Sequence, residues 1–155
     1  MPNRRAEIAM TEAEVFRFVH DGRICVVASV GPDGVPDPLP MWYLTDDSGR
    51  IAMRTYAKSQ KVLNVRRDPR VSVLIEDGER YAELRGVQIN GQLQVVDDDP
   101  ELVVEIWTGL MVKYEAFDAA AAEAFAPIAR AKAASQVVLL LEPERVVSWD
   151  HRKLA

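Results

Sequence analysis

Between Val87 and Val95 the odd positions hold Val87, Ile89, Gly91, Leu93 and Val95, and the even positions hold Gln88, Asn90, Gln92 and Gln94. A period of two over this length is the pattern of a β-strand with one buried face. Such a strand needs neighbours, and the sequence offers them. Strand-like runs cover Arg23 to Val30, about Pro40 to Leu44, Ile51 to Tyr56, Arg70 to Ile75 and Gln136 to Trp149, separated by turn signals such as GPDG at 31–34 and EDGE at 76–79. The second run is expected to start irregularly, because Pro36, Pro38 and Pro40 each lack a ladder donor. Ahead of the clearest strand the apolar parity changes, with Ala82 and Leu84 at even positions, so a β-bulge is expected at Arg85-Gly86.

Helices fall between these runs. Thr11 caps one over about Glu12 to His20, with Glu14 completing a capping-box pattern. A second spans about Ser59 to Arg67 and is closed by Asp68-Pro69. A third opens at Asp99-Pro100-Glu101 and carries the stripe Leu102, Val103, Ile106, Trp107, Leu110 and Met111. An alanine-rich helix covers roughly Ala119 to Ala133. The expected architecture is mainly β: a six-stranded antiparallel barrel with flanking helices, in one domain over 1–155, with 1–10 as a flexible N-terminal tail. The first and last strands, ICVVASV and VVLLL, are apolar on both faces and must be covered by helices or by a second subunit.

The N-terminus has no apolar run of the signal-peptide kind, and no stretch approaches the length of a membrane span. The single cysteine, Cys25, rules out an internal disulfide and suits a cytoplasmic location. A net charge of −5 argues against a general nucleic-acid binder. The charge is unevenly placed, however. Residues 54–70 hold Arg54, Lys58, Lys61, Arg66, Arg67 and Arg70 against Asp68 alone, a balance of +5 in a chain whose remainder sums to −10.

Part of this island sits where it is unfavourable. The positive pole of a helix dipole disfavours lysine, yet the second helix starts with Lys58 and Lys61 and no carboxylate, whereas one other helix opens TEAE and another DDDPE. A helix start also presents unpaired backbone donors, so Lys58, Ser59, Lys61, Thr55 and Arg54 together suit an anionic ligand such as a phosphate. The alternative is that the lysines are solvated surface groups costing a few tenths of a kcal/mol each. Arg66, Arg67 and Arg70 lie at the other helix end, where basic residues match the dipole.

Other chemistry is sparse. His20 and His151 lack metal-ligand spacing, and no nucleophile, P-loop or dinucleotide motif is present. No catalytic side chain and no metal site is therefore assigned, and any catalysis falls to a cofactor. Trp42 and Trp149 lie beside irregular chain features and offer flat aromatic surface, although core packing is the commoner role of such residues.

The run AMRTYAKSQKVLNVRRDPRVSVLIEDGE followed by LRGVQINGQLQVV, with the closing SWDHRKL, resembles the B branch of the flavin/deazaflavin oxidoreductase superfamily, whose members share the pyridoxamine 5′-phosphate oxidase-like split β-barrel. The resemblance implies a homodimer that binds a flavin-type cofactor at the subunit interface. Arg54, Thr55, Lys58, Ser59 and Lys61 would hold the cofactor phosphate and anionic tail. Pro40, Met41 and Trp42 would line the ring system, and Trp149 and His151 would reach the site from the partner subunit. The implied cofactor is the deazaflavin coenzyme F-420, with FMN as the alternative. The implied activity is hydride transfer to a small organic acceptor. A non-catalytic coenzyme carrier remains open. The closing WDHRK does not reproduce the substrate-binding Arg/His pattern of true pyridoxamine phosphate oxidases, which argues against vitamin B6 oxidation.

Overall fold

The computed structural model describes residues 4–154. Residues 1–3 of the expected tail lie outside the described residues. The rest of the tail carries one helical turn, α1 (Arg5–Ile8), and is fastened to the far end of the chain. The Met10 amide donates to Ser148 Oγ at 3.0 Å, and Lys153 Nζ donates to the Ala9 carbonyl at 2.9 Å.

Helix α2 (Glu12–Asp21) starts as its sequence dictates. Glu14 N donates to Thr11 Oγ1 at 3.3 Å and Thr11 N donates to Glu14 Oε2 at 2.6 Å, so both halves of the capping box form. Strands β1 (Cys25–Val30) and β2 (Pro36–Met41) then pair as a hairpin around the GPDG turn, where Gly34 takes a positive φ of 83°. The second strand therefore lies earlier than expected. Its three prolines share one parity, and β2 is a sheet edge with a single neighbour. The ladder needs donors only from Asp37, Leu39 and Met41, so the prolines cost nothing.

Next come β3 (Leu44–Thr45), β4 (Ile51–Tyr56), helix α3 (Gln60–Arg67), β5 (Arg70–Asp77) and β6 (Arg85–Val96). Helices α4 (Pro100–Glu115) and α5 (Ala119–Lys132) precede the last strand, β7 (Gln136–Asp150). All pairings are antiparallel, in the order β2-β1-β5-β6-β7-β4-β3. The two ends of that order are joined by Trp42 and Tyr43 alone, so the sheet curls round on itself as a barrel split at that point.

Seven strands are present rather than six, and Tyr43 is the reason. Its amide donates to Tyr114 Oη at 3.1 Å, and its carbonyl accepts from Tyr114 Oη at 2.9 Å and from Lys113 Nζ at 3.3 Å. Helix α4 thus takes the backbone bonds that a continuous ladder would have used. The bulge also falls elsewhere than expected. The parity change before Arg85 is a 3-10 turn, Tyr81–Glu83, and the register shift lies at Asn90/Gly91, where β7 carries the extra residue Glu144. Gly91 permits it, since a Cβ there would stand 2.1 Å from the Glu142 carbonyl oxygen.

Two apolar layers follow. Cys25, Val27, Ile51, Met53, Val73, Val87, Val137, Leu139 and Leu141 fill the barrel together with Val62 and Val65 of α3. Outside it, Ala52 and Val138 pack under Val103, Ile106 and Leu110 of α4. The two-sided character of the last strand is thus met by a helix of the same chain, not by a second subunit. Strand β1 differs: Cys25, Val27 and Ser29 are buried, while Val26, Ala28 and Val30 on its outer face are only half-buried. Among the described residues no helix is long and apolar enough to cross a membrane.

Candidate functional site

The N-terminus of α3 is built without its usual complements. Ser59 occupies the N-cap with extended backbone, yet its side chain caps nothing, and its Oγ is buried without a partner. The first turn holds no acidic residue, whereas those of α2 and α4 hold Glu12, Glu14 and Glu101. The Val62 amide already turns back to the Ser59 carbonyl at 3.0 Å, and the Gln60 and Lys61 amides make no such bond among the described residues. A buried, unpartnered hydroxyl beside two open amides costs free energy until an acceptor arrives.

Lys61 completes this corner. Its Nζ donates to Thr55 Oγ1 at 3.1 Å, and Thr55 is a buried polar residue at the end of β4. Burial pushes the Lys61 pKa down, against the opposing pull of Asp37. Lys58 is exposed and makes no hydrogen bond or ion pair among the described residues. Lys61 and Thr55 are thus joined in space, while Ser59 and Lys58 adjoin Lys61 along the chain.

Arg54 does not join them. Successive strand residues face opposite ways, so while Thr55 follows Ile51 and Met53 toward the barrel interior, Arg54 follows Ala52 toward α4. Its Nη1 donates to Gln136 Oε1 at 2.6 Å, and its guanidinium carbon lies 4.0 Å from the centre of the Trp107 ring. Its Nε is buried without a partner, and burial pushes its pKa down. The basic residues at the far end of α3 are engaged as well. Arg66 pairs with Asp97 at 2.7 Å, Arg67 donates to the Val30 carbonyl at 2.6 Å, and Arg70 pairs with Asp68 at 2.6 Å.

Sequence reasoning missed what holds α3 in place. Asn64 is fully buried, and its Nδ2 donates to Ser29 Oγ and to Asp37 Oδ2, each at 3.0 Å. Its Oδ1 accepts from Gln60 at 2.9 Å and from Arg67 at 3.3 Å. The helix is thereby tied to β1 and β2, and Asn64 lies three residues after Lys61, on the same face. The available signal was an asparagine beside Val62 and Val65 on the apolar side of a short helix.

From Asp37, strand β2 leads to Pro40, Met41 and Trp42. Met41 lies four positions along, about 13 Å at the usual strand rise. Pro40 is exposed, Met41 packs partly against the barrel core, and Trp42, 40% exposed, stacks on Tyr114 with ring centres 4.5 Å apart and planes 8° apart. These residues and the α3 corner share one chain.

Trp149 and His151 belong to the same chain but lie at the far end of β7 from the α3 corner. Arg54 pairs with Val138, and Trp149 lies eleven positions further along β7, about 36 Å away if the strand were straight. The Trp149 indole lies on Gly86, where a Cβ would meet Cζ2 at 2.3 Å. His151 Nδ1 lies 2.8 Å from the Tyr81 carbonyl oxygen. Both residues line a cleft of about 750 Å³ between α1 and the outer face of β6 and β7. Neither this cleft nor the two clefts beside α2 is lined by Thr55, Lys58, Ser59 or Lys61.

The chain forms a split antiparallel barrel with flanking helices, and comparisons with known proteins find the same fold. A family model described as pyridoxamine 5′-phosphate oxidase matches residues 11–150, and the chain belongs to that family, whose fold binds flavin-type cofactors. Among solved structures, the conserved hypothetical protein Rv2991 of Mycobacterium tuberculosis is 39% identical, with a TM-score of 0.88 over 98% of this chain and 92% of that one. An F420 reductase superposes with a TM-score of 0.63 at 20% identity, over 84% of this chain and 93% of its own. An FAD-binding protein of Mesorhizobium loti does so with 0.67 at 18% identity, over 90% and 94%. The last two share the fold. No curated protein matches the chain in sequence.

Proposed function

We propose that this chain is a cytoplasmic, homodimeric oxidoreductase that binds the deazaflavin coenzyme F-420 and passes hydride to a small organic acceptor. The observation that carries the reading is the unfinished start of α3: a buried Ser59 Oγ without a partner, two residues ahead of a Lys61 that bonds Thr55. This donor set fits a phosphate, and the stretch from Asp37 to Trp42 gives a ring and its linker a wall to lie along. When bound, the coenzyme would supply the hydride chemistry. The chain's own part is positional. Ser59, Lys61 and Lys58 would bind the phosphate, Pro40 and Met41 would orient the ring, and the partly buried Trp42–Tyr114 stack would keep water from one side.

A second subunit is supported by two features. The outer face of β1 carries Val26 and Ala28 half-buried, with Val26 opposite Leu74 of β5. Trp149 and His151 lie at the wrong end of β7 to meet the α3 corner of their own chain. In a homodimer they would meet the partner's. Sedimentation equilibrium tests this: a monomer at micromolar concentration would contradict it.

FMN is the second reading, favoured by the internal engagement of Arg66, Arg67 and Arg70. What remains free near Ser59 suits a single phosphate, which FMN also carries. Titration of the purified protein with FMN and with F-420 separates the two. Tighter binding of F-420 supports the first reading, and tighter binding of FMN transfers the proposal to FMN. Acceptor-dependent oxidation of the reduced coenzyme separates an enzyme from a carrier.

A further inference from the structure

The cleft between α1 and the β6–β7 face differs in charge from its surroundings. In a chain of net charge −5, no carboxylate among the described residues lines it, while Arg5 and Arg145 do. Arg145 is exposed and makes no hydrogen bond or ion pair among the described residues. The strand register sets the floor. Arg145 stands opposite Asn90, Val147 opposite Gln88 and Trp149 opposite Gly86, so alternate residues of β7 present a cation, an apolar step and an indole on one face.

The Asn90 amide here is oriented as a donor. Asn90 Oδ1 accepts from Ser72 Oγ at 2.9 Å and from Gln88 Nε2 at 3.0 Å, which fixes the amide and leaves its Nδ2 as an unused donor. A carbonyl can only accept, so the 2.8 Å approach of His151 Nδ1 to Tyr81 O assigns the proton to Nδ1 and holds the ring in place. The α1 wall is anchored by the Met10–Ser148 and Lys153–Ala9 bonds. A volume of about 750 Å³ lies within the range of small-molecule sites.

We propose that this cleft is a binding site for a small planar carboxylate, its ring seated on Trp149 and its carboxylate held by Arg145 and the Asn90 amide. The strand rise puts Arg145 about 13 Å from Trp149, a gap that an extended arginine and an aromatic acid close together. A guanidinium grips a carboxylate through two parallel bonds, which makes the anion, and not only the ring, the recognised feature. The claim stands apart from the α3 reading. If that reading also holds, an aromatic acid is the class of acceptor a partner's coenzyme would meet here.

The test follows the Trp149 indole N–H in ¹H–¹⁵N spectra, assigned with Trp149→Phe, during titration with benzoate and with benzyl alcohol. Benzoate should shift this signal and bind at least about tenfold more tightly than the alcohol, an advantage that Arg145→Ala abolishes and added salt weakens. Benzoate binding should survive in Lys58→Ala/Lys61→Ala, which separates this site from the phosphate site. Equal affinity for acid and alcohol, an unmoved Trp149 signal, or an unaffected Arg145→Ala protein would overturn the proposal.

Discussion

Lys61 of α3 and Thr55 of β4 are joined by a 3.1 Å bond from Nζ to Oγ1, at the point where the strand hands the chain to the helix. The bond holds Lys61 in the first turn of the helix whose N-cap residue, Ser59, has a buried, unpartnered Oγ. The first turns of α2 and α4 carry acidic residues, whereas that of α3, like that of α5, carries none.

Removing this cation should weaken anion binding more than it weakens the fold. A charge-assisted hydrogen bond contributes about 1.5–3 kcal/mol, so Lys61→Ala should lower affinity for FMN by about 10–100-fold in calorimetry. Thermal stability should hold or rise slightly, since a poorly solvated charge at a positive helix pole has been removed.

The same residue predicts a pH dependence. Burial depresses the Lys61 pKa below the usual 10.5, and only the charged amine attracts phosphate. Affinity should therefore fall as pH rises through that lowered value, earlier than for an exposed lysine. The sign for stability is opposite. Between the lowered and the ordinary value the unfolded chain binds more protons, so the unliganded protein gains stability with pH across that window. Titrations and melts between pH 7 and 11 would show both trends.

Glu14 ties the two chain ends together. It accepts from Lys153 Nζ at 2.6 Å and from the Thr11 amide, and these bonds hold its carboxyl at about 2, below the ordinary 4.5. A depressed carboxylate contributes stability that is full above the unfolded pKa and is lost as pH falls toward 2. The Tm difference between the native protein and Glu14→Gln should be constant above pH 5 and vanish near pH 2. A difference that persists at pH 2 would show that the bonds act otherwise.

Asn64 should be the most sensitive polar position in the chain. Its four bonds serve Ser29, Asp37, Gln60 and Arg67. Asn64→Leu strands the Asp37 carboxylate and should cost about 2–4 kcal/mol in urea unfolding.

Much of the fold was legible because it is local. Strand β4 runs over Ile51–Tyr56 as read, and the capping box of α2 forms at Thr11 and Glu14, since each depends on residues a few positions apart. The misreadings share a different origin. The break at Tyr43 is made by Tyr114 of α4, and the bulge belongs to the pairing of Gly91 with β7. Neither partner is near in sequence. The site divided in the same way. Lys61, Ser59 and Thr55 lie close in the chain, so the sequence alone groups them. The diversion of Arg54 depends on Trp107 and Gln136, which only the folded barrel brings to it.

The most direct test of the account is a fluorescence titration of F-420 against the native protein and against Lys58→Ala/Lys61→Ala. The account predicts saturable binding to the native protein and at least about tenfold weaker binding to a variant that stays folded. Equal affinity of the two proteins would contradict it.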